Sequence, residues 1–202
     1  MKLMYSPGAC SFGIHVLLEE IGKPYEAEAV NLRQPKPERA LTGVNPKSKV
    51  PTLIRDDGSV LTEYPAIAFW LAASNPAAGL MPATVEAQTR ALEATDFCVS
   101  TLHMLGFSPM FAAGRAATPE LGEAMKAVGR AVVENGLAHM SAVLGSQDYV
   151  LGSYSFADSA LFYNTNWAGM FGVDLPANIA AFRERMRARP AVQRVIAAEG
   201  LS

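Results

Sequence analysis

A cysteine at position 10 lies in the run Tyr5-Ser6-Pro7-Gly8-Ala9-Cys10-Ser11, between a short apolar stretch and a helix-patterned one. A thiol where a strand ends and a helix begins faces free backbone N–H groups and the positive end of the helix dipole. Both favour the thiolate, so this placement predicts ionisation below the free value of about 8.5. Such a group suits sulfur chemistry or the holding of a thiol ligand. The plain alternative is a small buried residue behind the first strand. Val50-Pro51 follows the turn-forming run Asn45-Pro46-Lys47-Ser48-Lys49 and leads a strand-like stretch. A cis bond there would leave the Val50 N–H and C=O free for a peptide-like ligand beside the Cys10 turn; a trans proline would be an ordinary strand entry. Glu63 opens a helix-patterned stretch. Its carboxylate could take an amino group while the helix N–H groups take a carboxylate, which together recognise an α-amino acid head. Simple capping by Thr62 with dipole compensation by Glu63 is the structural alternative.

Other candidates are weighed the same way. His103 shares a helix face with Leu92, Asp96 and Val99, and acquires a chemical role only if that helix approaches the cysteine. Tyr163 and Trp167 lie four apart on one apolar helix, as core packing or as a wall for an apolar co-substrate. Cys98 falls with Leu102 and Leu105 on the expected core face and reads as inert. Ser155-Phe156-Ala157-Asp158 is a capping-box variant that would nucleate a central helix.

These residues need elements to hold them. Strand signals at 2–5, 50–54 and 59–62, a weakly alternating stretch at 25–31 and helices at 11–21 and 63–73 predict an α/β layer of mixed strand direction. Gly22-Lys23-Pro24 ends the first helix, and Asp56-Asp57-Gly58 predicts a hairpin turn. Residues 76–82 form a small-residue connection bounded by prolines. Beyond it strand signals vanish, and helical spacing appears at Ala91, Ala94, Cys98, Leu102 and Leu105, then at Leu121, Met125, Val128, Val132 and Met140. Residues 157–171 are apolar nearly all round, and 178–188 and 191–198 close the chain as amphipathic helices. The loop 107–119 gives no readable element. The expected domains are 1–76 and 87–202, joined by a linker at 77–86.

Half of the 202 residues are apolar and the net charge is −2, which argues against nucleic acid or an anionic membrane as partner. Two distant cysteines are not a disulfide framework and suit a reducing cytoplasm. No secretory signal is expected, and the longest apolar run, read as 66–73, is too short to span a bilayer. His15, His103 and His139 do not cluster with cysteines, so no metal site is expected.

Taken in order, the motifs resemble the glutathione transferases along essentially the whole chain. The opening residues 1–11 resemble the bacterial beta class, and Asn45 to Leu53 resembles the family's Asn-Pro-x-Gly-x-Val-Pro segment. Leu61-Thr62-Glu63 resembles the approach to the glutathione-binding helix. Residues 155–158 match the family's folding box, and Arg189-Pro190-Ala191-Val192 resembles its ending. The resemblance implies a thioredoxin-like N-terminal domain, an all-helical C-terminal bundle, a homodimer, and glutathione as co-substrate with no permanently bound cofactor. It places Cys10, Ser11 and His103 at the chemistry, and Tyr5, Lys36, Lys49, Val50, Pro51, Glu63 and Tyr64 around glutathione. Phe107, Tyr163 and Trp167 would face an apolar electrophile. Tyr64 stands where the family has serine, Ser48 where glycine is common, and Met104 where beta-class members often carry lysine; weaker glutathione binding or a reshaped entry is expected. Conjugation is the leading reading. A monothiol reductase using Cys10 is the second, since Cys10-Ser11-Phe12-Gly13 holds no resolving cysteine. A non-catalytic carrier of apolar ligands is the third.

Overall fold

The computed structural model of the chain describes residues 1–201, the side chain of Pro37 excepted. By internal packing the chain forms two compact units, one of Met1–Met81 with the C-terminal stretch from Arg187, the other Pro82–Met186.

The first unit carries the α/β layer that the sequence predicts. Strands β1 (Lys2–Tyr5), β2 (Glu26–Ala29), β3 (Thr52–Ile54) and β4 (Val60–Thr62) form one sheet in the order β2-β1-β3-β4. β1 runs parallel to β2 and antiparallel to β3, and β3 pairs antiparallel with β4. The register brings Leu3 opposite both Ala27 and Leu53, so the two central strands bury Leu3 and Leu53 completely. Helix α1 (Ser11–Ile21) ends at Gly22, whose left-handed conformation lets its N–H reach the Leu18 carbonyl. Helix α2 (Tyr64–Ser74) begins one residue later than the sequence pattern suggests, because Glu63 takes a positive φ of 71°. Helix α8 (Pro190–Glu199) packs on α1. Arg189 pairs with Glu20 and Arg194 with Glu19 along that contact. The closing helix, expected at 191–198 and counted with the bundle by sequence, thus shares the core of the first unit.

The second unit is helical. Helix α3 (Val85–Asp96) continues as a π-helical stretch, Phe97–Phe107, and then as α4 (Ser108–Ala112). Helices α5 (Pro119–Leu144), α6 (Phe156–Met170) and α7 (Ala177–Arg187) follow. Threonine hydroxyls cap α3 and α5 at Thr84 and Thr118. The Asp158 carboxylate accepts from the Ser155 and Val150 N–H groups, so the predicted capping box forms and also ties down the preceding loop. The run Val85–Arg115 is 31 residues long, with an apolar window of mean hydropathy 1.2. By length and composition alone it could cross a bilayer, which the reading of 66–73 as the longest apolar run overlooked. In the fold it packs on α5 and α6.

Two core assignments need correction. Leu105 is exposed, because the wider π-helical turn carries burial from Cys98 and Leu102 to Gly106 and Phe107 instead. On α5 the expected apolar face is only partly met: Met140 is buried and Met125 and Val132 are half-buried, but Leu121 and Val128 are exposed. The buried face runs through Gly122, Gly129, Val133, Gly136, Leu137 and Met140. At Gly122 and Gly129 the neighbouring backbone is too close for a side chain. A Cβ at Gly129 would lie 2.4 Å from the Gly106 carbonyl oxygen, and one at Gly122 would lie 2.8 Å from that of Ala113.

Candidate functional site

Cys10 caps α1 at the end of the β1–α1 turn. Its thiol is buried and donates to the Val50 carbonyl, with Sγ and O 3.5 Å apart. Burial pushes the thiol up to about 12, against smaller downward pulls from the Ser11 and Cys10 N–H groups and the charge of Lys49. The expectation of a lowered thiol is therefore corrected. The helix start does favour the thiolate, but loss of water costs the charge more than those N–H groups return. Cys10 is thus held as a protonated donor to Val50.

Ser11 is fully buried, and its hydroxyl is committed: it accepts from the Ser6 N–H at 3.1 Å and donates to the Ser6 carbonyl at 3.3 Å. It braces the turn that presents Cys10. A second brace comes from α8. The Glu199 carboxylate, wholly buried, accepts from the Gly8 N–H at 2.9 Å and meets His15 Nδ1 at 2.8 Å. Sequence reading missed this tie because 191 residues separate its ends; Glu199 is the lone acid at the end of an otherwise amphipathic helix, which was its faint signal. Tyr5 also turns this way. Its ring lies 5.0 Å from that of His15, and burial and then the Glu199 charge raise its hydroxyl above the usual value.

The Val50–Pro51 bond is cis. Asn45 shapes the turn before it, accepting from the Lys47 N–H and donating to the Lys49 carbonyl and the Thr52 hydroxyl. Arg39 donates to the Ser48 carbonyl from outside. Ser48 takes a φ of 55°, so this turn does use the left-handed conformation that glycine adopts most easily. Among the described residues nothing accepts from the Val50 N–H.

Glu63 stands exposed at the start of α2, and Lys47 Nζ meets its carboxylate at 2.6 Å and the Thr62 hydroxyl at 2.9 Å. Sequence reading singled out Glu63 and missed Lys47. Tyr64, at the first helical position, is buried, while Lys36 lies exposed in a short helical turn, Lys36–Glu38. The structure thus brings the Cys10 thiol, from the β1–α1 turn, to the separate turn that carries Lys49, Val50 and Pro51, and stands Glu63 at the start of α2.

In the second unit His103 sits in the π-helical stretch. Its Nδ1 is 3.4 Å from the Tyr163 hydroxyl, and its ring is 4.7 Å from Trp167. Phe107, Tyr163 and Trp167 are almost wholly buried, at 0, 1 and 5% exposure. They form a floor rather than an open wall. Phe111, 40% exposed, packs on Trp167 at 5.1 Å and on Phe171 at 4.8 Å and is the accessible member of this cluster. Cys98 is buried, which raises its thiol as the inert reading expects. Among the described residues no group of three His, Cys, Asp or Glu side chains converges as metal ligands would.

Comparison with known proteins agrees with the residue-level resemblance. Residues 8–74 match the glutathione S-transferase N-terminal domain. Glutathione S-transferase GstA of Escherichia coli O157:H7 is 36% identical over the full length of both chains. A sphingomonad glutathione S-transferase solved in complex with glutathione superposes with a TM-score of 0.87 at 36% identity, covering all of each chain. The beta-class enzyme of Sphingomonas chungbukensis does so with a TM-score of 0.87 at 34% identity, again over the whole of both chains. Relatives this similar over their full length settle the family: the chain belongs to the glutathione S-transferases and is similar to their bacterial beta class.

Proposed function

We propose that this chain conjugates the thiolate of glutathione to small apolar electrophiles. The observation that carries the reading is the pairing of an unpartnered Val50 N–H with a protonated Cys10 thiol held on the Val50 carbonyl. An extended cysteinyl residue laid along Val50 would give its carbonyl to that N–H and its own N–H to the Val50 carbonyl. The Cys10 S–H, released from the carbonyl, then donates to the incoming sulfur. The ligand thiol loses its proton to water, and its thiolate is stabilised by the S–H donor and by the N–H groups at the start of α1. Each unit by which the ligand thiol is lowered is worth about 1.4 kcal/mol. The thiolate attacks the electrophile, the carbon–sulfur bond forms, and the leaving group departs with its bonding pair.

Glu63 and the Tyr64 N–H are assigned to the γ-glutamyl end, and Lys36 to the glycyl carboxylate. Phe111 and Phe171, over the floor of Phe107, Tyr163 and Trp167, are assigned to the apolar electrophile, with His103 as their polar neighbour. Homodimerisation, a cytoplasmic location and a detoxifying role rest on the family resemblance. The exposed Leu121 and Val128 on α5 are surfaces that a second copy would cover.

A thiol kept protonated by burial is a hydrogen-bond donor and a poor nucleophile, which favours conjugation over a mixed disulfide on Cys10. The test is glutathione binding by titration calorimetry on wild type and Cys10→Ala, with intact mass and turnover of chlorodinitrobenzene. Binding that survives in Cys10→Ala, no covalent adduct on either protein, and turnover reduced about tenfold, the size of one hydrogen bond to a charge, is the expected result. A glutathione adduct on Cys10 would replace conjugation by thiol exchange. Absence of binding to wild type would sink the reading.

A further inference from the structure

Both non-glycine residues with positive φ, among the described residues, lie next to one exposed ion pair. Ser48, at φ 55°, follows Lys47, and Glu63, at φ 71°, is the partner of Lys47. Unusual backbone of this kind gathers where a site is held in place. The pair itself contributes little to stability, since both side chains are more than half in water or close to it, at 50 and 62% exposure. Its placement is the informative part. The Lys47 ammonium occupies the position on Glu63 that a ligand ammonium would need, at the N-terminal end of α2.

We propose that Lys47 reads the α-carboxylate of the γ-glutamyl group by changing partners. This rests on the glutathione orientation given above. An α-amino acid carries its ammonium and carboxylate on the same carbon. When the ligand ammonium displaces Lys47 from Glu63, the ligand carboxylate arrives beside the displaced cation. Lys47 keeps its contact with the Thr62 hydroxyl, and its flexible stem needs only a small rotation to meet the new carboxylate. One ammonium–carboxylate pair is broken and two are formed, so no charge is stranded. The α2 N–H groups and Lys47 then share the ligand carboxylate. In a chain that has tyrosine at position 64 rather than a hydroxyl donor suited to that carboxylate, Lys47 supplies the missing contact.

The test is a cycle of two proteins and two ligands, read by titration calorimetry. The proteins are wild type and Lys47→Met, with Lys47→Arg as the conservative control and thermal unfolding as a check on folding. The ligands are glutathione and γ-aminobutyryl-cysteinylglycine, which lacks only the α-carboxylate. Lys47→Met is expected to weaken glutathione about fivefold, the upper range of an exposed ion pair, while both proteins bind the decarboxy analogue equally. Lys47→Arg is expected to restore most of the glutathione affinity. Equal weakening toward both ligands would overturn the proposal, because Lys47 would then act only by holding Glu63. Unchanged or tighter glutathione binding in Lys47→Met would overturn it as well, leaving Lys47 a mere placeholder. Wild type that binds neither ligand would instead be the failure of the glutathione reading itself.

Discussion

The two units hold their chemical groups by different means. In the first, loops are wired into place by polar contacts: Ser11 to Ser6, Asn45 across its own turn, Glu199 to Gly8 and His15. In the second, a histidine and an aromatic cluster are positioned by shape. The π-helical stretch lies so close to α5 that a Cβ at Gly129 would run into the Gly106 carbonyl oxygen, and one at Gly136 would press on the Leu102 side chain. Polar wiring depends on residue type at a few positions and fails when one partner is removed. Shape packing depends on what is absent and fails when an atom is added.

The sharpest test of the wired site is the reactivity of Cys10. Burial raises its thiol to about 12, so its thiolate fraction near neutral pH should be on the order of a thousandfold below that of an ordinary thiol. Alkylation by iodoacetamide in the folded protein should be negligible at pH 7 and should climb with pH well beyond 9, whereas in urea the same residue should titrate like a free thiol. Rapid alkylation of the folded protein at pH 7 would break the account of a protonated donor. Next in size is Glu199→Ala. It strands the buried His15 and the Gly8 N–H together, and about 3 kcal/mol of stability should be lost in urea unfolding. Glu199→Gln keeps an acceptor for Gly8 and should lose less. Equal stability of Glu199→Ala and wild type would show that the tie is not formed.

The same contrast explains what could be read in advance. Cys10, Val50-Pro51 and Glu63 were legible because each chemical task demands a residue type at a fixed place in a turn or helix start. Their partners were not. Lys47 and Glu199 are ordinary charged residues whose roles come from contacts with positions 63 and 8. The direction of the Cys10 shift was misread because sequence displays the helix start and conceals the burial. On α5, hydropathy pointed to Leu121 and Val128, and the buried glycines carry no hydropathy signal at all. Their repeat at 122, 129 and 136 matches two helical turns, and that spacing was the available clue.

Shape packing is tested by adding one carbon. Gly129→Ala would place Cβ 2.4 Å from the Gly106 carbonyl oxygen and 2.7 Å from Met110 Cγ, and the first of these cannot yield without moving backbone. About 2 kcal/mol should be lost, after allowing for the better helix propensity of alanine. Gly169→Ala is the control, since its Cβ would meet nothing nearer than the Arg183 guanidinium at 3.8 Å. It should be neutral or slightly stabilising. Parity between the two variants in thermal unfolding would mean that the α5 glycines are not contacts of necessity.

Ser48→Gly carries the smallest effect and the opposite sign. Ser48 holds a positive φ, and its hydroxyl is buried without a partner among the described residues. Glycine removes both costs, each of about 1 kcal/mol, and gives back part of the gain through a freer unfolded chain. A net stabilisation of about 1 kcal/mol is expected, read as a rise in the urea midpoint at unchanged slope. Glu63 shares the positive φ but not the idle side chain, because its carboxylate is engaged by Lys47. Glu63→Gly should therefore relieve the backbone while weakening glutathione, whereas Ser48→Gly should relieve it and leave glutathione affinity alone. Were Ser48→Gly instead to weaken glutathione as Glu63→Gly does, the unsatisfied hydroxyl at 48 would belong to the ligand, and the two strained residues would be one site rather than one site and one relic of the turn.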